Sequence, residues 1–408
     1  MALLAGDKKK KLLMVPGPIE CDQEVLQMIG QPSESVVHPI FIKSFGDCLR
    51  NMRKLFCANE SCQPFILSGG GALGWDCTVV SLLESKKDKA LVLNTGYFGE
   101  NFRDCCRAYD IETDELQFPI GAAANVSDLE KQLKKKKYKL LTITQVETST
   151  GVCNDVRELA DTCRRVSPET LIAVDGVCSF AAVPFYFSDW NIDIAITASQ
   201  KALGAPPGLC VMMLSERTCK YLMSEQRKNA VRSWYCNLQQ WLPIMQGYEK
   251  GQICYFSTPN VNLIKALLVS SQQLLNDGLE RSFARHRHAT LSFREAMRAL
   301  NLSLLVPNDD QAAATVTAVW FPPNINPAEF LKYIDDFGVV VSGGLHRKIK
   351  TQYFRVGHMG ISVNPNRTDL LQTVQAIEYA LAKCKVSNFE KGAGISAFTS
   401  AFGTVSKL

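Results

Sequence analysis

The lysine at position 201 occupies a place where a solvated surface charge is hard to explain. It follows the apolar run Ile192–Thr197, which is predicted to be a strand, and it precedes Ala205-Pro206-Pro207-Gly208. Proline and glycine make that following segment unsuitable for an ordinary helix. A lysine amine can bond covalently to a carbonyl compound during catalysis. Lys201 is therefore the first candidate for a catalytic residue.

A glycine-rich segment, Gly69-Gly70-Gly71-Ala72-Leu73-Gly74, follows the predicted strand Pro64–Leu67. A glycine turn that opens a helix presents free backbone N–H groups and the positive end of the helix dipole to a phosphate. A dinucleotide is not favoured, because the acidic residue expected about 20 positions later is missing and the next strand ends in Leu93-Asn94. For this segment alone, a tight turn without a ligand remains the alternative.

Asp175 ends the apolar run Leu171–Val174 and is followed by Gly176. A buried carboxylate costs free energy unless a cation meets it. A protonated pyridine nitrogen would be such a cation, and the capping of a helix is the alternative role. Asp175 is therefore a second candidate for chemistry.

The middle of the chain contains the elements that position these residues. Short apolar runs alternate there with segments of helical periodicity such as Val156–Val166. This pattern favours an α/β fold whose parallel sheet is covered by helices on both faces. The predicted strands are Pro64–Leu67, Ala90–Leu93, Leu140–Gln145, Leu171–Val174 and Ile192–Thr197. Function in such sheets gathers at the carboxyl ends of the strands, which the three candidate segments follow.

A second unit of α+β composition is predicted after Gly278, and its size is that of a small domain. Its elements are a helix at Ser282–Leu300, a strand at Thr315–Trp320, a helix at Phe330–Phe337, strands at Val339–Ser342 and Tyr353–Val356, and a closing helix at Asp369–Lys383. We therefore expect an N-terminal arm at 1–20, a large domain at 21–278, a small C-terminal domain at 279–386 and a flexible tail at 387–408.

The composition argues against several classes of function. The chain has 408 residues, a hydrophobic fraction of 46% and a net charge of +5, as in soluble globular proteins. No apolar run reaches the ~18 residues that span a bilayer. The basic runs Lys8–Lys11 and Lys134–Lys137 lack interleaved aromatic residues, so nucleic acid is not an expected partner. The 15 cysteines are scattered without metal-site spacing, so neither a metal nor a disulfide is predicted.

The C-terminal tripeptide matches a targeting signal. Ser406-Lys407-Leu408 is the peroxisomal address that an import receptor reads at a free carboxyl terminus. The stretch Lys391–Leu408 is rich in small residues and poor in charge, which favours an exposed, flexible tail. No apolar stretch of signal-peptide length follows the N-terminal lysines. We therefore expect a peroxisomal protein, which would stay in the cytosol if the tripeptide were not read.

Six motifs, which occur in the same order along the chain, resemble those of class V aminotransferases. The likeness is closest to the alanine–glyoxylate and serine–pyruvate aminotransferase family, and it covers about residues 12–385. The motifs are Pro16-Gly17-Pro18, Glu147-Thr148-Ser149-Thr150-Gly151, Asp175-Gly176-Val177, Ser199-Gln200-Lys201-Ala202, Tyr255-Phe256-Ser257-Thr258-Pro259 and Tyr353-Phe354-Arg355-Val356-Gly357. The resemblance implies a pyridoxal 5'-phosphate (PLP) transferase of fold type I. Its large domain would hold a mostly parallel seven-stranded sheet between helices, beside a smaller α+β domain.

The resemblance also implies roles around the cofactor ring. Lys201 would hold PLP as a Schiff base and then move the proton of the substrate's α-carbon, with a pyridoxamine-phosphate form between the two half-reactions. Asp175 would keep the ring nitrogen protonated. Phe98 and Val177 would cover the two faces of the ring, and Thr148 would donate a hydrogen bond to its phenolic oxygen.

The cofactor phosphate has its own set of implied contacts. They are Gly70, Gly71, Ala72 and Gln200 of one subunit, and Tyr255 and Thr258 of the other. A homodimer with shared active sites is therefore implied. Two positions depart from many relatives, which have a hydrogen-bonding side chain at Ala72 and a tryptophan at Phe98. Both departures would weaken the retention of the cofactor.

The substrates implied by the resemblance are small amino acids and 2-oxo acids. Arg355 would hold the substrate carboxylate as a bidentate fork, and Gly17 would also border the substrate. The favoured reaction moves the amino group of alanine to glyoxylate and gives pyruvate and glycine, which suits glyoxylate detoxification and glycine synthesis in a peroxisome. A serine–pyruvate or a 3-hydroxykynurenine transaminase is the alternative.

Other classes of protein explain fewer of these residues. A class V lyase such as a cysteine desulfurase stacks a histidine on the ring, where this chain has Phe98, and the only cysteine after Cys254 is Cys384. A nucleotide-dependent oxidoreductase or a binding protein without activity would leave Lys201 and Arg355 unexplained. Packing is the favoured role of His346 and His358, and a solvated helix face is expected for His286 and His288.

Overall fold

The computed structural model describes residues 10–228 and 230–403. The strands are β1 (Leu12–Leu13), β2 (Gln63–Ser68), β3 (Lys89–Asn94), β4 (Glu112–Gln117), β5 (Leu140–Thr144), β6 (Val146–Glu147), β7 (Val152–Cys153), β8 (Leu171–Asp175), β9 (Ile194–Ala198), β10 (Leu209–Leu214), β11 (Val316–Trp320), β12 (Val339–Val340), β13 (Ser342–Gly343) and β14 (Tyr353–Gly357).

Helices fill most of the chain between these strands. They are α1 (Gln23–Ile29), α2 (Pro39–Leu55), α3 (Ala72–Leu82), α4 (Tyr97–Ala108), α5 (Val126–Lys135), α6 (Val156–Val166), α7 (Glu216–Leu222), α8 (Leu238–Glu249), α9 (Val261–Asp277), α10 (Leu279–Ala299), α11 (Pro327–Phe337), α12 (Asp369–Lys383) and α13 (Ala393–Gly403). A 3-10 helix lies at Gly360–Val363.

Helix α6 shows how the sequence specifies such an element. The side chain of Asp155 accepts a hydrogen bond from the backbone N–H of Glu158, so it caps the first turn. Val156, Leu159 and Cys163 recur at helical spacing and are buried against the sheet. The predicted helix over Val156–Val166 is confirmed residue for residue.

The central sheet has seven strands in the order β2-β10-β9-β8-β5-β3-β4. Strands β9, β8, β5, β3 and β4 pair in parallel, whereas β10 runs antiparallel to both of its neighbours. The prediction of a mostly parallel seven-stranded sheet is therefore confirmed. All five predicted strands are present with shifts of one or two residues at their ends.

Two strands of this sheet were not among the predicted ones. The edge strand β4 reads ETDELQ and is mostly half-exposed, so it lacks the apolar run that marks a central strand. Strand β10 is a buried apolar run that directly follows Gly208. It is joined to β9 by a loop without a helix and runs antiparallel to it, whereas the pattern predicted parallel strands connected by helices. Because β9 and β10 are adjacent, the residues between them form a short loop at the sheet edge, and Lys201 lies in that loop.

The C-terminal unit contains its own sheet, in the order β11-β14-β13, and its own hydrophobic core. Its predicted helices and its predicted strands at Thr315–Trp320 and Tyr353–Val356 are present with small changes at their ends. The predicted strand Val339–Ser342 is instead divided into β12 and β13, which pair in two different sheets. Helices α10 and α12 supply Phe293, Met297, Val374 and Ile377 to this core. Strand β1 of the N-terminal arm pairs in parallel with β12, so the arm is attached to the C-terminal unit.

The prediction of a flexible tail is wrong for residues 393–403, because these residues form α13. Phe398 on α13 is buried in the C-terminal core, and α13 packs along α10. The small residue Gly394 allows a close approach to Leu300, and the backbone N–H of Gly392 donates to the Glu378 carboxylate at 2.8 Å. The targeting tripeptide 406–408 lies outside the described residues.

Within residues 10–228 and 230–403, no helix is both long and apolar enough to cross a bilayer. The same residues contain no cluster of histidine, cysteine and carboxylate side chains that could hold a metal ion.

Candidate active site

The carboxyl ends of β2, β5, β8 and β9 come together at one edge of the sheet, where the predicted site residues lie. Gly71 follows β2 and touches the segment that follows β8, since a Cβ atom there would lie 2.6 Å from Val177 Cγ2. The same Cβ atom would lie 3.5 Å from Ala198 at the end of β9. A glycine is therefore required where the turn approaches these two strands.

Lys201 is held in the loop between β9 and β10 by Ser199. The Ser199 hydroxyl donates to the carbonyl of Pro206 at 2.6 Å, and the amide of Ala205 donates to the Ser199 carbonyl at 3.0 Å. These bonds fix the proline-rich segment that could not be helical. The Lys201 amine donates to the carbonyl of Pro16 and borders Gly17, where a Cβ atom would overlap it. The structure therefore brings Gly17, which the resemblance places beside the substrate, to the lysine.

Asp175 is the most informative charged group of the site. Its side chain is 4% exposed, and one carboxylate oxygen accepts a hydrogen bond from the Val177 amide at 2.9 Å. The other oxygen accepts one from Nε1–H of Trp75 at 3.0 Å. Burial raises the pKa of Asp175 to about 6, against the lowering effects of these two hydrogen bonds and of the Lys201 charge. Among the described residues, no cationic side chain forms an ion pair with this carboxylate.

Trp75 is a site residue that the sequence reasoning missed. It lies on α3, one turn after Gly71, and its ring stacks on Phe102 with centroids 5.3 Å apart. Its position four residues after the glycine turn is a signal that could have drawn attention to it, because residues four apart lie on one face of a helix.

The glycine turn leads into α3, and no side chain in the described part of the chain caps this helix. Gly70 has open space beside it, where a Cβ atom would meet nothing within 4 Å. Gln200 lies beside Lys201 in the β9–β10 loop, and its buried Oε1 atom has no hydrogen-bond partner among the described residues. Ala72 begins α3 and presents only its backbone to an incoming group. The uncapped helix end and the open space are the features of an anion-binding site.

Glu147 was quoted within a motif but given no role, and the structure shows that it organises the next part of the site. Its fully buried carboxylate accepts hydrogen bonds from the amides of Phe98, Gly99 and Ser149, at 2.9, 3.3 and 2.9 Å. Burial raises the pKa of Glu147, and these bonds oppose the effect. The carboxylate therefore caps α4 and fixes the position of Phe98 at its start.

The Cys178 thiol lies near both Lys201 and Thr148, since both side chains lower its pKa. Burial raises the pKa of this thiol, while the charge and hydrogen bonds of its neighbours lower it. Thr148 and Lys201 therefore face the same small region. No sequence motif pointed to a role for the thiol of Cys178.

Arg355 reaches the site from β14 of the C-terminal unit. Its guanidinium is 8% exposed and donates to the carbonyl of Gly343 at 2.9 Å and to that of Thr148 at 3.3 Å. Burial lowers the pKa of Arg355. No carboxylate in the described part of the chain forms an ion pair with it. A buried arginine without an acidic partner is suited to bind an anionic ligand.

Tyr255 and Thr258 are not brought to the other site residues within one chain. Their hydroxyls lie 3.0 Å apart on the surface, where Tyr255 is 59% exposed. Within the described residues, no hydrogen bond links either side chain to Gly71, Gln200 or Lys201.

The histidines lie outside this constellation. His358 is buried between the hydroxyls of Thr290 and Thr317, as the packing role predicted. The prediction for His286 is wrong, because this side chain is buried and its Nε2 atom accepts the amide of Gly360 at 3.0 Å. The C-terminal unit covers that face of α10, which the helix sequence alone does not reveal. A cavity of about 730 Å3 beside His286 is lined by α9 and α10 and by none of the predicted catalytic groups.

These residues fit PLP in three independent respects. The open glycine turn suits its phosphate, and the lysine amine suits its aldehyde. The buried carboxylate of Asp175, which lacks a cationic side chain as partner, suits its protonated ring nitrogen.

Comparison with known proteins gives the family. The family model described as "Aminotransferase class-V" matches residues 33–364. Alanine–glyoxylate aminotransferase 1 of Saccharomyces cerevisiae is 34% identical over 386 residues, which cover 93% of this chain and all of that protein. Serine–glyoxylate aminotransferase of Arabidopsis thaliana is 27% identical over 90% of each chain.

A solved structure extends the likeness to three dimensions. The crystal structure of an alanine–glyoxylate aminotransferase from Nostoc sp. superimposes with a TM-score of 0.85 and 25% identity, and it covers 93% of this chain and 98% of that one. The fold, the cofactor and the class of reaction follow from these matches together. The chain belongs to the class V aminotransferases, which are PLP-dependent enzymes of fold type I.

Proposed function

We propose that this aminotransferase transfers the amino group of alanine to glyoxylate and produces pyruvate and glycine. The observation that carries the proposal is the buried Arg355, which has no acidic partner among the described residues. Its guanidinium donates a hydrogen bond to the carbonyl of Thr148, a residue that lies in the same region as Lys201. An arginine in this position selects a substrate with a carboxylate next to the reacting carbon. The choice of alanine is supported by the 34% identity to the yeast enzyme over nearly the whole chain.

Each side chain then has a defined task. PLP, when bound, supplies the sink for the electrons of the broken C–H bond. The Lys201 amine carries the proton away from the substrate's α-carbon. Asp175 holds the proton on the ring nitrogen, and Arg355 fixes the carboxylate so that the C–H bond faces the lysine.

The remaining roles are proposed on the same footing. Gly70, Gly71, Ala72 and Gln200 hold the phosphate, Phe98 and Val177 enclose the ring, and Thr148 donates to its phenolic oxygen. Thr148 lies near the same Cys178 thiol as Lys201, which supports this last assignment. Gly17 borders the substrate in this proposal, and its lack of a side chain leaves room for the Lys201 amine.

A second subunit completes the phosphate site in this proposal. The surface around Tyr255 exposes Trp234 and Ile253, whose side chains are about three-quarters exposed in a single chain. Large apolar side chains that are exposed together mark a protein–protein interface. The partner's copies of Tyr255 and Thr258 would then reach the phosphate of the first subunit. Mixing inactive Lys201→Ala chains with inactive Tyr255→Ala chains tests this sharing, because hybrid dimers regain one intact site only if the sites are shared.

A half-reaction screen tests the choice of substrate. The yellow holoenzyme is mixed with alanine, serine, aspartate or 3-hydroxykynurenine in the absence of an oxo acid, and the loss of the visible band is followed. We expect alanine to convert the enzyme with the highest kcat/KM, and glyoxylate to restore the band faster than pyruvate does. A serine preference is the alternative that the Arabidopsis relative favours. Conversion by serine with no conversion by alanine would make the assignment wrong.

We also propose that the enzyme works in peroxisomes, where an import receptor reads Ser406-Lys407-Leu408. The test is a fluorescent protein fused to the N-terminus of the full chain. Peroxisomal fluorescence that becomes cytosolic on deletion of residues 406–408 is the expected result, and unchanged localisation would contradict it.

A further inference from the structure

The indole of Trp75 makes the only hydrogen bond from a side chain to Asp175 among the described residues. Its Nε1–H group lies 3.0 Å from one carboxylate oxygen, while the other oxygen is taken by the Val177 amide of the same turn. The two residues are 100 positions apart in the chain. The contact therefore connects the helix after the glycine turn, α3, with the end of β8.

The indole is held rigidly in this position. It lies nearly parallel to the ring of Phe102, with an interplanar angle of 18°, and it meets the edge of Phe98 at 6.5 Å. Trp75 is 8% exposed. A ring fixed on two sides by aromatic neighbours directs its N–H group in one direction, so the Asp175 carboxylate is fixed as well.

We propose that Trp75 is a positioning residue that orients the Asp175 carboxylate toward the ring nitrogen of PLP. The inference rests on the placement of PLP at Asp175 proposed above, and it goes beyond it by assigning the residue that holds the carboxylate. Each carboxylate oxygen can accept two hydrogen bonds. The indole and the Val177 amide use one site on each oxygen, and a further site stays available for the cationic ring nitrogen.

Two physical effects make the indole useful here. A hydrogen bond donated to the carboxylate favours its charged form, which the buried position disfavours. The rigid donor also prevents the carboxylate from rotating away, so no ordering is required when the ring arrives. Both effects act through the pairing of Asp175 with a protonated ring nitrogen, so they apply to cofactor forms that carry this nitrogen.

Binding of two cofactor forms to the apoenzyme tests the proposal without measuring activity. PLP and its 1-deaza analogue, in which carbon replaces the ring nitrogen, are titrated into wild type and Trp75→Phe. We expect Trp75→Phe to weaken PLP binding about tenfold, the loss of one hydrogen bond to a charged group, and to change binding of the analogue about twofold or less.

The control variant is Trp241→Phe, which also removes a buried indole hydrogen bond, from Nε1–H to the Tyr235 carbonyl, but lies away from Asp175. It should leave the ratio of the two affinities unchanged. Equal weakening of both cofactor forms by Trp75→Phe would show that the ring only fills space, and unchanged PLP binding would also overturn the proposal.

A second measurement uses a chain that keeps Trp75. The five indole N–H signals of the apoenzyme are recorded by NMR across the titration of Asp175 and again in Asp175→Asn. One signal should move with pH in the wild type, and the same signal should be displaced and insensitive to pH in the variant. If none of the five signals senses Asp175, the proposal fails. These results do not depend on which amino acid is the substrate, so a wrong assignment of alanine would leave them unaffected.

Discussion

Asp193 and Asp175 are buried aspartates at opposite edges of the central sheet, and they have different partners. Asp193 directly precedes β9 at the amino edge and is 2% exposed. Its carboxylate forms ion pairs with Arg164 and Arg217 and accepts the Ile172 amide at 2.8 Å. Asp175 ends β8 at the carboxyl edge, where its partners among the described residues are an amide and an indole.

The difference separates a structural carboxylate from one that is kept for a ligand. At the amino edge, two guanidinium groups compensate the charge before any ligand binds. At the carboxyl edge, burial without an ion pair raises the pKa of Asp175 to about 6, so the fold leaves the charge to be met by a cation from outside the chain. Ligands of open α/β sheets bind at this second edge.

The largest effect is expected from the loss of the lysine at the carboxyl edge. Lys201→Ala removes the amine that bonds to the cofactor and moves the proton, so kcat should fall by roughly 10⁴-fold or more. The melting temperature should change little. Lys220→Ala on the exposed helix α7 is the matched control and should retain full activity. Turnover of Lys201→Ala at the wild-type rate would contradict the role of this lysine.

The same substitution at both aspartates tests the comparison itself. Asp193→Asn leaves Arg164 and Arg217 without a counter-charge, and we expect the free energy of unfolding to fall by about 3 kcal/mol. Asp175→Asn should leave the apoenzyme as stable as the wild type or more stable, while PLP binding weakens. Chemical denaturation and cofactor titration measure the two effects. Equal destabilisation by both variants would remove the distinction between the two edges.

A conservative exchange of arginine distinguishes the edges in a third way. Arg355→Lys loses the bidentate fork, so kcat/KM for the amino acid should fall about 100-fold. Arg217→Lys at the amino edge keeps a charge near Asp193 and should leave kcat/KM unchanged. A fall of kcat/KM in the second variant as large as in the first would contradict the proposed role of Arg355.

The smallest effect is a pH dependence of apoenzyme stability. The pKa of Asp175 rises from 3.8 to about 6 on folding, so the folded chain binds this proton more tightly than the unfolded chain. The free energy of unfolding of the wild type should therefore fall relative to Asp175→Asn as the pH rises from about 4 to about 6, by about 2 kcal/mol. Denaturation midpoints at several pH values measure it, and parallel curves for the two proteins would contradict it.

The sequence was sufficient to predict that the polar residues after the strands lie close together. Asp175 comes directly after an apolar run and Lys201 a few residues after one, and the rule that parallel strands end at one edge brings them together. The spacing of Trp75 from the glycine turn and the motif that contains Glu147 did not predict the roles of these residues, because those roles depend on contacts across 100 and 49 positions of the chain. The role of Tyr255 depends on a second chain and stays a prediction.

The C-terminal helix α13 shows a different limit. A segment rich in small residues has little intrinsic preference for order, and its composition predicted a flexible tail. The burial of Phe398 against α10 and α12 stabilises the helix, and this surface exists only after the C-terminal unit has folded.

The most direct test of the site is to locate the lysine that binds PLP. Borohydride treatment of the holoenzyme fixes the cofactor covalently to its lysine, and digestion followed by mass spectrometry identifies the modified peptide. The pyridoxyl group should be found on Lys201. A pyridoxyl group on any other lysine of the wild-type enzyme would contradict the assignment.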